Sequence, residues 1–478
     1  MPTDLRARRL LLICLGLGAA LRLWAAGDHG IYWPDEIYQS FEPAHRLVYG
    51  YGMRAWAFID GARNWSFAFL VAVLLKLSWV FGLSAPGQYI LIVKGFFALV
   101  GVGTALGVYR LAVVLGAAEL FGAFAAGAFS LAAPVIYFAP RAMAENALAF
   151  CAVWGLALLL DEKAPRKHAL LGAGLLALGV LFRLQGAVLC VGVLGWLAAT
   201  KQHARLRDTG LVLAAGALLF GLTDAIAWSD APGAKYGGWF HSAFKYWQFN
   251  ITENRGAGWG TSPWPYYFQF TYQSMPVLAL VVGAGALLAL RRGLAVWIPA
   301  ALFLAVHLYV GHKELRFIVP LWPLAFALCG LGLGKLPVEK LRNAGLAVLA
   351  GSALFSAANI QALTMGDLGA YGDRPQSSAW GDFANVNRLM LAASKLPDVC
   401  GLRIDAAHLA WTGGSTYLHH HAPLYHLGQP GPASGFFNYV ITRGGSGLAP
   451  IATDNGLELV KLPIAGCTPD PGYTWRLP

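Results

Sequence analysis

The chain has 478 residues, of which 57% are hydrophobic and 12% charged, and its mean hydropathy of +0.54 excludes an ordinary soluble domain. Its formal net charge of +11 does not indicate nucleic acid, because Lys and Arg sit in short clusters between apolar segments rather than in a stripe on one soluble face. Composition leaves a polytopic membrane protein in contact with membrane lipids, its basic residues setting its topology.

In chain order, the apolar run 10–26 behind Arg6, Arg8 and Arg9 reads as a retained first helix, since no small-residue cleavage site precedes Tyr32 and Trp33. Further runs of spanning length lie near 88–109, 118–138, 143–160, 168–182, 184–200, 209–228, 273–290, 294–310, 316–334 and 343–362. That gives an all-α membrane domain of about eleven transmembrane helices. With the N-terminus inside, the inner connections carry Arg110, then Lys163, Arg166 and Lys167, then Lys201, Arg205 and Arg207, then Arg291 and Arg292, then Lys335, Lys340 and Arg342. Every inner loop is then positive, as the bias of cytoplasmic loops toward Lys and Arg requires. Residues 66–83 carry Lys76 in their middle and read as a helix along the interface rather than as a further span.

The tail is different material. Turn-rich GDRPQSS, GQPGPASG and TRGGSG separate short apolar stretches such as FFNYVITR and LELVKLP, which predicts a small α/β domain outside the membrane. The division is therefore 1–362, a transmembrane domain with outer loops at 27–66 and 229–272, and 363–478, a soluble domain. Cys14, Cys151, Cys190 and Cys329 fall in apolar spans as packing residues, whereas Cys400 and Cys467 lie in polar sequence and can pair in an oxidising compartment.

The same topology puts the chemically rich segments on the outer side. The first outer loop holds Asp35 and Glu36, with Glu42 a turn and a half later. A carboxylate here can serve as a general base toward a hydroxyl, or the acids can simply favour the start of a helix behind Pro34. Arg141 and Arg183 stand at outer helix ends, near Glu145 with Asn146 and near Gln185. Guanidinium forks suit phosphate oxygens, although snorkelling to headgroups is the common fate of such residues. In GHKELRFIVPLWP, residues 311–323, His312, Lys313, Glu314 and Arg316 crowd the mouth of a hydrophobic span, where charge is costly. The loop 229–272 contains WGTSPWPYY, with Trp259, Trp264 and Tyr267 available to stack on sugars or to sit at the interface. His419, His420 and His421 do not make a metal site, because consecutive residues do not converge on one ion. No Walker loop, dinucleotide-binding glycine pattern or GxSxG motif is present.

Through PDEIYQSFEPAHRLVYGYG at 34–52, WGTSPWPYY at 259–267 and HKELRFIVPLWP at 312–323, the chain resembles the mannosyltransferases of glycosyltransferase family 22. These GT-C fold enzymes serve GPI-anchor and N-glycan lipid assembly. The tail matches loosely, through STYLHHHAPLYH at 415–426. The resemblance implies an inverting transfer of a sugar, expected to be mannose, from a polyprenyl-phosphate donor to a lipid-linked glycan acceptor. Asp35 is then the base, with Glu36 its neighbour. Arg141, Arg183, His312, Lys313 and Arg316 hold the donor phosphate, and Glu42, Glu145, Gln185, Trp259, Trp264, Tyr267 and Glu314 contact substrate. No metal and no cofactor is implied, since the cations already meet the phosphate charge. Ser262 replaces a common family His, and Trp56, Ala57 and Phe58 stand where an acid is usual. The compact chain without an ER retrieval tail points to a bacterial inner membrane with a periplasmic active face; an ER membrane with a lumenal active face is the alternative. Transfer of arabinose, aminoarabinose or glucose, transfer to protein, and a lipid or glycolipid transporter remain rival readings.

Overall fold

The computed structural model describes residues 2–365, 378–427, 430–464 and 466–477. It divides into two compact units, Met1–Ala25 with Phe96–Ser377, and Ala26–Gly95 with Ser378–Pro478. The helix Pro86–Val114 supplies residues to both.

Among the described residues the first unit is helical, and the apolar runs expected to span fall in helices, two of them (118–138 and 273–290) in a pair of helices rather than one. Among the described residues five helices are long and apolar enough to cross a bilayer: Leu5–Ala26, Pro86–Val114, His203–Trp228, Leu315–Gly334 and Glu339–Ala358. Shorter apolar helices include Glu119–Leu131, Ala144–Leu159, Gly186–Ala199, Pro276–Leu288 and Leu294–Tyr309. His203–Trp228 exposes Leu211, Leu218, Leu222 and Ile226, an apolar surface that water would penalise and lipid accepts. The chain is an integral membrane protein.

The run expected at 118–138 is not one helix. It stops at Leu131, Ala132 is extended, and a second helix, Ala133–Phe138, starts with Pro134 in its first turn. Proline has no N–H to give and its ring clashes with the carbonyl four residues back, so a continuous helix breaks there. The freed Ala133 N–H donates to Ser356 Oγ at 2.9 Å.

Small residues set the closest helix contacts. A Cβ on Gly332 would fall 1.9 Å from the Gly285 carbonyl oxygen, and one on Gly172 would fall 2.6 Å from that of Gly155. Pro276–Leu288 packs on Trp322–Gly334, and Ala144–Leu159 on Arg166–Phe182, at distances that only glycine permits. Leu148, Ala152, Leu189 and Phe303 pack together in the core.

The second unit joins the first outer loop to the tail. Its five-stranded sheet has β1 (Leu402–Ile404), β2 (Leu424–His426), β3 (Tyr439–Arg443), β4 (Pro450–Asp454) and β5 (Leu457–Lys461) in the order β2-β1-β3-β5-β4. β1 runs parallel to β2 and β3, while β3–β5 and β4–β5 are antiparallel. The expected α/β tail is present, with Gly445 and Gly447 at φ 93° and 73° making the turn in TRGGSG. Most of GDRPQSS and the start of GQPGPASG lie outside the described residues.

The helix Ser66–Val80 belongs to this unit. Its 15 residues extend about 22 Å, less than the hydrocarbon thickness of about 30 Å. Lys76 lies over the Trp79 ring at 3.7 Å, as suits an interfacial helix.

Cys400 and Cys467 form a disulfide across 67 residues of chain. The chain-entropy model assigns a loop of this size about 4 kcal/mol of stability. Replacing both cysteines by serine should lower the thermal unfolding temperature of the purified chain. An unchanged unfolding temperature would show that the sheet does not depend on the bond.

Candidate functional site

In the second unit, the helix containing the candidate acids begins at Asp35 and passes through one π turn, Ile37–Phe41, before continuing as Glu42–Tyr49. Single π turns recur at functional sites because they re-aim side chains along an otherwise regular helix. Here Ser40 Oγ donates to the Glu36 carbonyl. Asp35 is partly exposed, whereas Glu36 is buried with its carboxylate 3.6 Å from Lys94 Nζ. Lys94 also donates to the Asp28 carbonyl at 2.6 Å. Sequence reasoning passed over Lys94, although an ionisable residue inside an apolar run was a sufficient signal.

Glu42 is fully buried. It accepts hydrogen bonds from Met53 N at 2.6 Å, Thr416 N at 2.6 Å and Thr416 Oγ1 at 2.7 Å. Burial pushes its pKa up to about 7, against these hydrogen bonds, which favour the anion. The folded state therefore holds a proton that the unfolded chain releases at lower pH. This contribution is fully present below the unfolded pKa near 4.5 and is lost as pH rises through about 7. Glu42→Gln should flatten that decline, which is on the order of 3 kcal/mol for a fully buried group. Thermal unfolding of both proteins between pH 4 and 8 checks it, and parallel pH curves would refute it.

The three consecutive histidines diverge. His419 Nδ1 lies 3.0 Å from His45 Nε2, His420 contacts the Ser394 carbonyl at 3.2 Å, and the His421 ring packs on Trp475 at 5.1 Å. His45 is buried and meets the Tyr51 carbonyl through Nδ1 at 3.0 Å, while its contact with His419 joins loop to tail, which sequence reasoning did not foresee.

The first unit assembles most of the basic candidates into one chain of charges. Glu145 Oε1 pairs with Arg183 Nη1 at 2.9 Å and accepts from Arg316 Nη1 at 2.8 Å, with all three side chains at most 5% exposed. Arg316 Nε also donates to Glu314, whose other oxygen meets His312 Nε2 at 2.9 Å. The His312 Nδ1 contacts the Gly260 carbonyl at 2.9 Å. Burial would lower the His312 pKa, but the hydrogen bond and charge of Glu314 hold it above its ordinary value. Burial likewise opposes the Glu314 anion, and Arg316 and His312 overcome it, keeping Glu314 well below the usual carboxylate range.

The remaining candidates occupy distinct places. Lys313 Nζ is caged by the carbonyls of Val310 at 2.6 Å, Ser262 at 3.0 Å and Gly311 at 3.4 Å, so its donors join the WGTSPWPYY loop to the HKELR loop. Arg141 is buried over the Tyr137 ring at 3.8 Å, and Asn146 donates to the Phe138 and Arg141 carbonyls at 2.6 and 2.8 Å. Gln185 donates to the hydroxyl of Tyr246, a partner absent from the sequence-based candidates. Trp259 stacks on Phe249 at 5.3 Å and meets the edge of His312 at 5.9 Å. Tyr267 is buried against Tyr266. Trp264 is 69% exposed and packs on Phe268, as an interfacial residue would. Among the described residues, no group of three or more His, Cys, Asp or Glu converges to hold a metal ion.

A helical membrane core with a small sheet-containing unit is the architecture of GT-C proteins, and solved structures show it. ArnT from Cupriavidus metallidurans, solved with bound undecaprenyl phosphate, superposes with a TM-score of 0.64 at 14% identity, covering 96% of this chain and 99% of that one. The Archaeoglobus fulgidus oligosaccharyltransferase superposes with a TM-score of 0.55 at 12% identity, covering 92% and 69%. The fold is GT-C.

Within that fold, the model of the Alg9-like mannosyltransferase family matches residues 13–372, and the chain belongs to this family. The zebrafish GPI alpha-1,2-mannosyltransferase 3 is 26% identical over 66% of this chain and 58% of that protein. Mannosyltransferase APTG1 of Arabidopsis thaliana is 28% identical over 70% of this chain and 60% of that protein. The matched region thus spans about three-fifths of the length of these relatives.

Proposed function

We propose that the chain is an inverting glycosyltransferase that moves mannose from a polyprenyl-phosphate donor to a lipid-linked glycan acceptor. The observation that carries this reading is the charge chain Arg183–Glu145–Arg316–Glu314–His312, buried at its Arg183–Glu145–Arg316 end, beside Lys313. Arg183, Lys313 and Arg316 outnumber Glu145 and Glu314 before His312 is counted, so the site carries surplus positive charge that an anion would neutralise. The mannosyltransferase relatives and the undecaprenyl phosphate bound by ArnT support mannose and a polyprenyl phosphate as the chemistry.

In this reaction Asp35 takes the proton of the acceptor hydroxyl as that oxygen attacks the anomeric carbon. The bond from the anomeric carbon to the phosphate oxygen breaks, and its electron pair leaves with the polyprenyl phosphate. One displacement inverts the anomeric centre. The phosphate gains a charge in that step, and Arg141, Arg183, His312, Lys313 and Arg316 stabilise it. Lys313 acts through its charge while its N–H groups hold the two loops together. Glu145 and Glu314 position the arginines and so act on substrate indirectly. Trp259, Tyr267 and Gln185 are assigned to the sugar side, and Glu42 to the frame of the helix that carries Asp35.

The proposal keeps residues 1–362 as the membrane catalytic portion and 363–478 as an extramembrane portion on the outer face. The Cys400–Cys467 disulfide supports an oxidising compartment for that face. That compartment is a bacterial periplasm, with the ER lumen as the alternative.

The test is to incubate membranes containing the chain with radiolabelled polyprenyl-phosphate mannose and total lipid extract. Label should appear in a new lipid product. Transfer from another polyprenyl-phosphate sugar alone would overturn mannose, and silence with every donor would overturn the transferase reading in favour of a transporter.

A further inference from the structure

The second unit carries a cationic cluster that the proposed chemistry does not use. A parallel bridge pairs Arg54 with Arg476: Arg54 N donates to the Trp475 carbonyl at 2.8 Å and Leu477 N to the Arg54 carbonyl at 2.9 Å. Residues paired in this way project side chains to one face, and like charges placed opposite one another are destabilising. Arg46 joins them at the same turn, donating from Nη1 to the Gly52 carbonyl at 3.3 Å. Arg54 is exposed, and slight desolvation together with the charges of Arg46 and Arg476 lowers its pKa from the ordinary value. Among the described residues no ion pair neutralises any of the three.

Beside the cluster stands an aromatic group. Tyr51, His421 and Trp475 pack with ring centroids 5.0 Å apart for Tyr51–His421, 5.1 Å for His421–Trp475 and 6.5 Å for Tyr51–Trp475. His421 is exposed, and Tyr51 and Trp475 are partly so. Aromatic rings suit the C–H faces of sugar rings, and guanidinium forks suit phosphate oxygens.

We propose that Arg46, Arg54 and Arg476 with Tyr51, His421 and Trp475 form a binding site for a phosphate-bearing carbohydrate headgroup. A ligand of that class neutralises the opposed arginines and covers the rings, which neither a bare anion nor a neutral sugar does. Assigning the site to the acceptor lipid rests on the transferase reading, but binding does not require transfer to occur.

Three probes separate the sources of that chemistry when titrated calorimetrically into the purified full chain in detergent: mannose 6-phosphate, dioctanoyl phosphatidylinositol and dioctanoyl phosphatidylglycerol. The two ring-bearing phosphates should bind, and phosphatidylglycerol should bind at least about fivefold more weakly for want of stacking. Tighter binding of the lipid than of mannose 6-phosphate identifies a lipid-borne headgroup, and equal binding a free one, both within the proposal. R54Q/R476Q should weaken binding at least about tenfold, since it removes two charge-assisted donors, and should not lower the unfolding temperature without ligand. W475L should weaken binding about fivefold. If R54Q/R476Q fails to fold, R54K/R476K replaces it; this keeps the charges, loses the forks, and should still weaken binding. Equal affinity for phosphatidylglycerol, or full affinity in the folded arginine variant, overturns the proposal. Neither result touches the transfer assay, so the two readings fail separately.

Discussion

Replacing Asp35 by asparagine is expected to reduce sugar transfer about a thousandfold while leaving the protein folded, since a positioned general base contributes about 10²–10⁴ in rate. Asparagine keeps the shape of the side chain and loses its basicity, and Asp35 is partly exposed at the start of its helix, so little packing is at stake. Glu36→Gln should behave in the opposite way. Glu36 is buried 3.6 Å from the equally buried Lys94, and losing its charge removes the carboxylate that this interior ammonium faces. Breaking such a pair costs about 3–5 kcal/mol, so this variant should show a depressed unfolding temperature and a transfer rate that falls only with the folded fraction. Radiolabel transfer by both variants, measured beside their unfolding curves, separates the roles. Wild-type transfer by folded Asp35→Asn, with loss in folded Glu36→Gln, would move the base to Glu36.

The legible and illegible parts of this chain divide by range. The apolar runs were legible because a helix in lipid must be apolar over its whole length, so the pattern is local. HKELR was legible because charge at the mouth of such a run is conspicuous. The break at Ala132 was signalled by Pro134, yet an apolar run with a proline in its interior still reads as one span by composition. Glu145 drew attention for its position, but nothing in the sequence said that one of its oxygens would serve both Arg183 and Arg316, which is 171 residues away. Turn residues mark the tail as distinct material, but nothing local announces that it shares a compact unit with the first outer loop through Glu42 and Thr416, 374 residues apart. Such pairings are fixed by packing, and no local periodicity encodes them.

Glu145 gives the other large effect, because it is the shared counterion of two buried cations. Glu145→Ala leaves Arg183 and Arg316 at 2% and 5% side-chain exposure without the oxygen both of them use, and should destabilise the protein by about 3–5 kcal/mol. Glu145→Gln is the more informative change, since its amide oxygen can still accept a hydrogen bond while the negative charge is gone. The site then becomes more positive by a full charge, in surroundings where Coulomb interactions are stronger than in water. That extra attraction acts on the donor before reaction and on the released polyprenyl phosphate afterwards, as well as on the transition state. Uniform tightening lowers KM without helping the chemical step, and a more firmly held product slows turnover. Glu145→Gln should therefore show a lower KM for the polyprenyl-phosphate sugar, stronger inhibition by added polyprenyl phosphate and about a tenfold lower kcat, the scale of one 1.4 kcal/mol change in product release. Initial rates at varied donor, with and without polyprenyl phosphate, check this. A purely structural Glu145 would instead lower kcat in proportion to the folded fraction and leave KM and product inhibition where they were, which would remove the phosphate from this charge chain.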